Sequence, residues 1–223
     1  MPDYTITELE ISIKGLTKLP DDIHLYTNLR KLDCNYNKIT QCDNLPQNLQ
    51  ILNCSYNQII QLDNLPPKLK ILLCYGNKIT QLDNLPQGLE KLECGFNNIS
   101  QLDNLPPDLK ELYCWNNNIT QLDNLPKGLK ILYCNYCQIT QCDNLPPSLI
   151  ILDCSNNQIT NLDNLPPGLK ILYCSNNKIT QLNNLPSGLK ILDCNYNPLI
   201  YDFEPTLENI KKYIASNVNI ATS

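Results

Sequence analysis

The chain has 223 residues, with 17 Lys and Arg against 22 Asp and Glu, a net charge of −5 and an isoelectric point near 4.9, so it lacks the basic excess of a nucleic-acid binder. A single histidine, His24, argues against His-based catalysis and leaves no multi-His metal site, and no apolar run reaches the length of a membrane span. Cysteine is abundant at 12 and proline at 16, while glycine is scarce at 7.

Taken in chain order, the N-terminal stretch MPDYTITELEISIKG has no basic segment leading into an apolar one, which predicts no signal peptide. Ile6, Leu9, Ile11 and Leu16, followed by LPDDIHLYTN, form an atypical opening unit over 6–28. From Leu29 the chain repeats every twenty residues. Eight units begin at Leu29, Leu49, Leu69, Leu89, Leu109, Leu129, Leu149 and Leu169, and a partial ninth begins at Leu189. In register the unit reads L-x-x-L-x-C-x-x-N-x-I-T-Q-L-D-N-L-P-x-x, and a period in this range marks a solenoid. The expected organisation is an N-terminal capping repeat over 1–28, eight repeats over 29–188, and a partial repeat with a helical cap over 189–223.

One unit is readable position by position, counting from its first leucine. Positions 3–6 predict a short strand, which turns Leu at 4 and Cys at 6 into the core and positions 3 and 5 outward. The return segment T-Q-L-D-N-L-P-P cannot be a helix. Proline at 18, and often at 19, removes amide donors and favours extended or polyproline II geometry. Asn at position 9, at residues 37, 57, 77, 97, 117, 157, 177 and 197, predicts a stacked ladder of amides that satisfies backbone groups at the strand-to-loop corner. The tail YDFEPTLENIKKYIASNVNIATS leaves the period. Pro205 suits a first helical position, and Leu207, Ile210 and Ile214 share one helical face, so a short helix is predicted over 205–216.

The motif L-x-x-L-x-C-x-x-N-x-I, carried over about residues 6–200, resembles the leucine-rich repeat, with Cys in place of its third Leu. The twenty-residue length and the N-L-P-P turn are similar to the short repeats of bacterial secreted effectors. The near-identical units with Tyr-Cys-x-x-Asn cores and the YDFEPTLENI ending look like leucine-rich repeat proteins of mimivirus-like giant viruses. The resemblance implies an α/β-type solenoid with short parallel strands on its concave face, extended convex segments and a short C-terminal capping helix. It also implies a protein-binding scaffold. Separately, no nucleophile–base pair, phosphate-cradling loop or carboxylate pair rises above the repeat background, so the sequence predicts no enzyme. Some bacterial relatives carry a C-terminal ubiquitin-ligase domain or a helical leader; this sequence has room for neither, so ligase activity is not carried over.

The stretch LKILYCNYCQITQC, with Cys134, Cys137 and Cys142, has the C-x-x-C spacing of redox and zinc motifs. In register it dissolves. Cys134 is the ordinary position 6, and Cys142 stands at position 14, as Cys42 does. Only Cys137 is out of place, in the Asn ladder. Nine of the twelve cysteines lie on the period, one strand spacing apart, which is wider than the roughly 3.8 Å between Cβ atoms that a disulfide prefers. They read as buried free thiols with no metal, which implies a reducing, cytoplasmic compartment. The column Asp43, Asp63, Asp83, Asp103, Asp123, Asp143 and Asp163 reads as turn residues whose carboxylates accept local amides, in preference to a cation site.

The candidate site is the concave face. Ten of the fifteen aromatic residues fall at positions 5, 7 or 8, including Tyr36, Tyr56 and Tyr196. Exposed Tyr and Trp suit protein interfaces, because each buries a large area and keeps a polar tip. The candidate partner-binding residues are Tyr75, Lys91, Glu93, Phe96, Glu111, Tyr113, Trp115, Ile131, Tyr133, Tyr136, Ile151, Ile171 and Tyr173. The plainer explanation is that Ile and Tyr are good strand formers copied by duplication, but Phe96 and Trp115 depart from their neighbours. The sequence thus predicts a non-enzymatic scaffold for a protein partner. It predicts no cofactor, nucleic acid or membrane, and a monomer with at most weak self-association. The alternatives are a self-assembling structural protein, or a thiol or metal protein centred on Cys134–Cys142.

Overall fold

The computed structural model describes residues 2–221. Ten three-residue strands stack in chain order into one parallel sheet: β1 (Glu8–Glu10), β2 (Lys31–Asp33), β3 (Ile51–Asn53), β4 (Ile71–Leu73), β5 (Lys91–Glu93), β6 (Glu111–Tyr113), β7 (Ile131–Tyr133), β8 (Ile151–Asp153), β9 (Ile171–Tyr173) and β10 (Ile191–Asp193). The register follows the sequence repeat. Ile51 lies beside Ile71 and Leu52 beside Leu72, so each position of a unit meets the same position of the next.

The strands cover positions 3–5, one residue fewer than the sequence predicts. The ladder itself continues, because the Cys34 amide still donates to the Asn53 carbonyl at 2.8 Å, and Cys54 to Leu73 likewise. The strand ends because the chain must turn at position 8, where every unit is left-handed, from Tyr36 and Phe96 (φ 49°) to Gly76 (φ 66°).

Positions 1, 4, 6 and 11 make the core. Leu109, Leu112, Cys114 and Ile119 have no exposed surface, and positions 14 and 17 close the convex side. Burying a leucine this fully is worth about 1.5–3 kcal/mol, so each unit brings its own share of the core. The return segments of the twenty-residue units contain no helix. Each ends in a turn in which the first leucine of the next unit donates to the proline carbonyl at position 18, as Leu109 does to Pro106 at 3.1 Å. Only the opening unit differs, with a single 3-10 turn at Ile23–Leu25.

The C-terminal helix α1 (Leu207–Ala221) starts two residues later and runs further than the predicted 205–216. Thr206 is its cap. The Thr206 hydroxyl accepts the Asn209 amide at 3.2 Å and its carbonyl accepts the Ile210 amide at 3.0 Å, which leaves Pro205 outside the helix. No Pro or Gly interrupts the chain after Ser216, so the helix continues. Its predicted face is the one that seals the core: Ile210 is fully buried, with Leu207 and Ile214 packed around it.

Candidate functional site

The corner that carries the concave face is held by the asparagine ladder. Asn117 Nδ2 donates to the carbonyls of Cys94 (3.1 Å), Cys114 (3.0 Å) and Trp115 (3.2 Å), while its Oδ1 accepts the Ile99 amide at 2.9 Å. The same pattern recurs at Asn57, Asn77 and Asn157. At Cys137 the rung is missing. Its thiol donates one long hydrogen bond, to the Cys114 carbonyl at 3.6 Å, and the buried Ile119 amide faces sulfur in place of an amide oxygen. The surrounding carbonyls keep partners, since Asn117 still donates to Cys114 and Asn157 to Cys134. One poorly satisfied amide is therefore the main loss. The neighbouring Asn135 Oδ1 is also buried without a partner.

All twelve cysteines are free, and eleven are buried. Burial pushes the thiols of Cys74, Cys114, Cys134 and Cys174 well above their ordinary range, so they stay protonated and inert at neutral pH. Among the described residues, no three His, Cys, Asp or Glu side chains are grouped to hold a metal ion. The aspartate column needs a correction. Its members are exposed, and among the described residues no backbone amide donates to them; Asp63 accepts from the Gln61 side chain instead. The corner is turned by the next residue, Asn at position 16, which is left-handed at Asn44, Asn64, Asn84, Asn104, Asn124 and Asn144. A short polar side chain tolerates that conformation, so the carboxylate is not required for the turn.

On the concave face the rings form a continuous string. Tyr36 stacks on Tyr56 at 4.3 Å between centroids, Tyr56 meets Tyr75 edge-on at 4.9 Å, and Tyr75 meets Phe96 at 5.1 Å and Trp115 at 5.4 Å. Trp115 meets Tyr113 at 6.0 Å, and Tyr113 stacks on Tyr133 at 5.1 Å. Lys91 sits within the string. Its ammonium lies 2.9 Å from Glu93, 3.7 Å from Glu111 and 5.0 Å from the centroid of the Tyr113 ring. Burial pulls the Lys91 ammonium down, but Glu93, Tyr113 and Glu111 together outweigh it, and the net shift is upward. Burial first, then the Glu111 carboxylate, raises the Tyr113 phenol. The Asp153 carboxyl is raised as well, mainly by burial, against the opposing bond from the Ser155 amide.

Eight of the predicted residues thus come together: Tyr75, Lys91, Glu93, Phe96, Glu111, Tyr113, Trp115 and Tyr133. Ile131, Ile151 and Ile171 lie side by side on β7–β9, half-buried. Tyr173 is separated from Tyr133 by Asp153 in the register, and Tyr136 projects from the corner with 59% of its surface exposed. The candidate set omitted Tyr36 and Tyr56, which extend the string, and two glycines beneath it. A Cβ on Gly76 would lie 2.9 Å from the Tyr56 ring, and one on Gly95 would lie 2.8 Å from the Trp115 indole. The available signal was a glycine standing in a column of rings.

The charge on this face is uneven. Positions 3 and 5 of the ten strands hold seven carboxylates (Glu8, Glu10, Asp33, Glu93, Glu111, Asp153 and Asp193) against two ammonium groups, Lys31 and Lys91. Seven minus two is five, equal to the net charge of −5 of the whole chain, so the remainder of the molecule is balanced.

A family model described as Leucine Rich repeats (2 copies) matches residues 107–147 and 147–187. A search of curated proteins found no match. Among solved structures, YopM from Yersinia enterocolitica WA-314 is 32% identical with a TM-score of 0.78, over 92% of this chain and 50% of its own. The functional domain of InlJ from Listeria monocytogenes, described as including a cysteine ladder, is 32% identical with a TM-score of 0.77, over 89% of this chain and 46% of that one. YopM from Yersinia pestis, described as a leucine-rich effector protein, is 30% identical with a TM-score of 0.73, over 83% of this chain and 59% of that one. The chain therefore spans about half the length of the first two. These likenesses lie with bacterial repeats; the likeness to giant-virus repeats rests on sequence pattern alone. With its in-register parallel strands, its Asn and Cys ladders and these structural neighbours, the chain folds as a leucine-rich repeat solenoid whose repeats resemble those of bacterial effectors.

Proposed function

We propose that the chain is a non-enzymatic scaffold that holds a protein partner on its concave sheet, in a reducing compartment such as the cytoplasm. Concave surfaces of repeat solenoids serve binding in general. The observation that carries the reading here is where the rings stand. Tyr36, Tyr56, Phe96, Tyr136 and Tyr196 occupy position 8 at φ between 49° and 57°, and Asn116, Asn156 and Asn176 occupy it in other units. A bulky side chain in the left-handed region costs on the order of 1 kcal/mol. Position 8 lies beyond the strand, so strand propensity does not account for rings there. The rings do not fill the core either: Tyr36, Tyr56, Phe96, Tyr136 and Tyr196 are all exposed. Rings kept against backbone preference and outside the core are best explained by contact with another molecule.

In this reading 1–28 and 189–223 seal the ends of the solenoid and 29–188 carries every position-8 ring but Tyr196. The test compares wild type with Tyr113→Ala/Trp115→Ala as bait, with captured proteins identified by mass spectrometry and melting curves checking the fold. The double variant is expected to lose the proteins that wild type retains. Retention of the full set by a folded double variant would remove the concave string as the docking surface.

A further inference from the structure

The string of rings borders an open depression of about 330 Å³ over β2–β6, within the size range of a side-chain or small-ligand site. Tyr36, Tyr56, Tyr75 and Trp115 wall it, and Glu93 contributes the one carboxylate of its lining. A second depression on the convex side, against Lys18, Asp21 and Asn44, is smaller at about 220 Å³ and has no ring in its lining.

The two glycines shape the concave depression. Tyr75 and Trp115 stand at the same position two units apart, a separation of about 9.6 Å at the usual strand spacing. Their rings nevertheless approach to 5.4 Å, because Gly95 between them leaves the backbone bare and the indole lies down over it. Gly76 does the same for Tyr56.

The chemistry of the wall has a counterpart one step along the sheet. There the protein seats its own ammonium, Lys91, between two carboxylates and over the face of Tyr113. The depression offers ring faces and the shared Glu93, one carboxylate where Lys91 has two, and no Lys or Arg lines it. It also lies on the face that carries the whole negative excess of the chain. We propose that this depression seats a Lys or Arg side chain from an extended basic segment of the protein partner, a reading that rests on the concave face being the docking surface. Cation–π attraction by the rings fixes the cation, and the surrounding carboxylates draw the rest of the segment onto the sheet.

Trp115 is the only tryptophan, so its emission reports occupancy of the depression directly. The full chain is titrated with a short peptide of alternating lysine and serine, and with the glutamate–serine counterpart, following Trp115 emission and the anisotropy of a labelled peptide. The lysine peptide is expected to bind and to change the emission, weakening as salt rises, while the glutamate peptide does neither. Tyr56→Ala and Glu93→Gln should each weaken the lysine peptide by about 5- to 10-fold. Gly95→Ala should weaken it too, by lifting the indole. Asp123→Asn removes the same charge from the convex side and should leave binding unchanged. Three outcomes overturn the proposal: no binding of the lysine peptide up to about 1 mM, equal binding of both peptides, or binding indifferent to Tyr56→Ala and Glu93→Gln. Those outcomes leave the scaffold reading standing, because its fate is decided by the proteins captured with and without Tyr113 and Trp115.

Discussion

The two sides of each strand follow opposite rules. Inside, position 4 is leucine in all ten strands, and position 6 is cysteine from Cys34 to Cys194. Outside, position 5 alone runs through Asp33, Asn53, Leu73, Glu93, Tyr113, Tyr133, Asp153, Tyr173 and Asp193. The inward side repeats because each unit is packed only by its neighbours, so one geometry must serve at every level. The outward side is released from that demand. In such a molecule function is written in departures from the repeat, and a departure toward small size, as at Gly76 and Gly95, counts as much as one toward large.

The contrast can be broken at its strictest point. Asn117→Ala removes an amide that serves three carbonyls and the buried Ile99 amide. It should cost about 2–3 kcal/mol, a fall in Tm of roughly 5–10 °C by thermal denaturation. A change no larger than that of a surface substitution would mean that the ladder does not hold the corners. The natural exception sharpens the same comparison. Cys137→Asn restores the acceptor that the Ile119 amide lacks and should raise stability by about 1 kcal/mol, with Tm up by roughly 2–4 °C. A lower Tm would show that the pocket has adapted to sulfur. The smallest effect belongs to the outward side. Asp153 has its carboxyl raised in the folded state, chiefly by burial, so the native protein binds that proton more tightly than the unfolded chain does. Stability is therefore lost as pH rises through the window above the ordinary aspartate value of about 3.9. Asp153→Asn keeps an acceptor for the Ser155 amide. It should melt slightly above wild type at neutral pH and coincide with it below about pH 3; a gap that persists in acid would assign the effect to packing.

The period made the solenoid, its inward residues and its Asn ladder legible, because a repeated unit reports the same environment many times over. The end of the helix was less so: Thr206 competes with Pro205 for the helix start, and only the bond to Asn209 decides between them. The aspartate column misled for a related reason. Asp and Asn at positions 15 and 16 are both turn formers, and the backbone angle that separates their roles is not written in the letters. The cradle stayed hidden because it is a property of a column, not of a unit. Tyr75, Gly95 and Trp115 are twenty residues apart in sequence and adjacent only in the stack. Reading down the columns would have joined them.

A stack held by neighbour contacts is no stronger than its weakest joint. Cys137 thins the joint between the unit from Leu109 and the unit from Leu129, where the β6–β7 pairing remains and the rung does not. If the solenoid opens from within, it is expected to part there first. The cradle lies wholly on the N-terminal side of that seam, with Tyr113 and Tyr133 stacked across it like a clasp. A single substituted asparagine is thus expected to set where an otherwise continuous stack opens, with the whole depression walled by Tyr36, Tyr56, Tyr75 and Trp115 on one side of the opening.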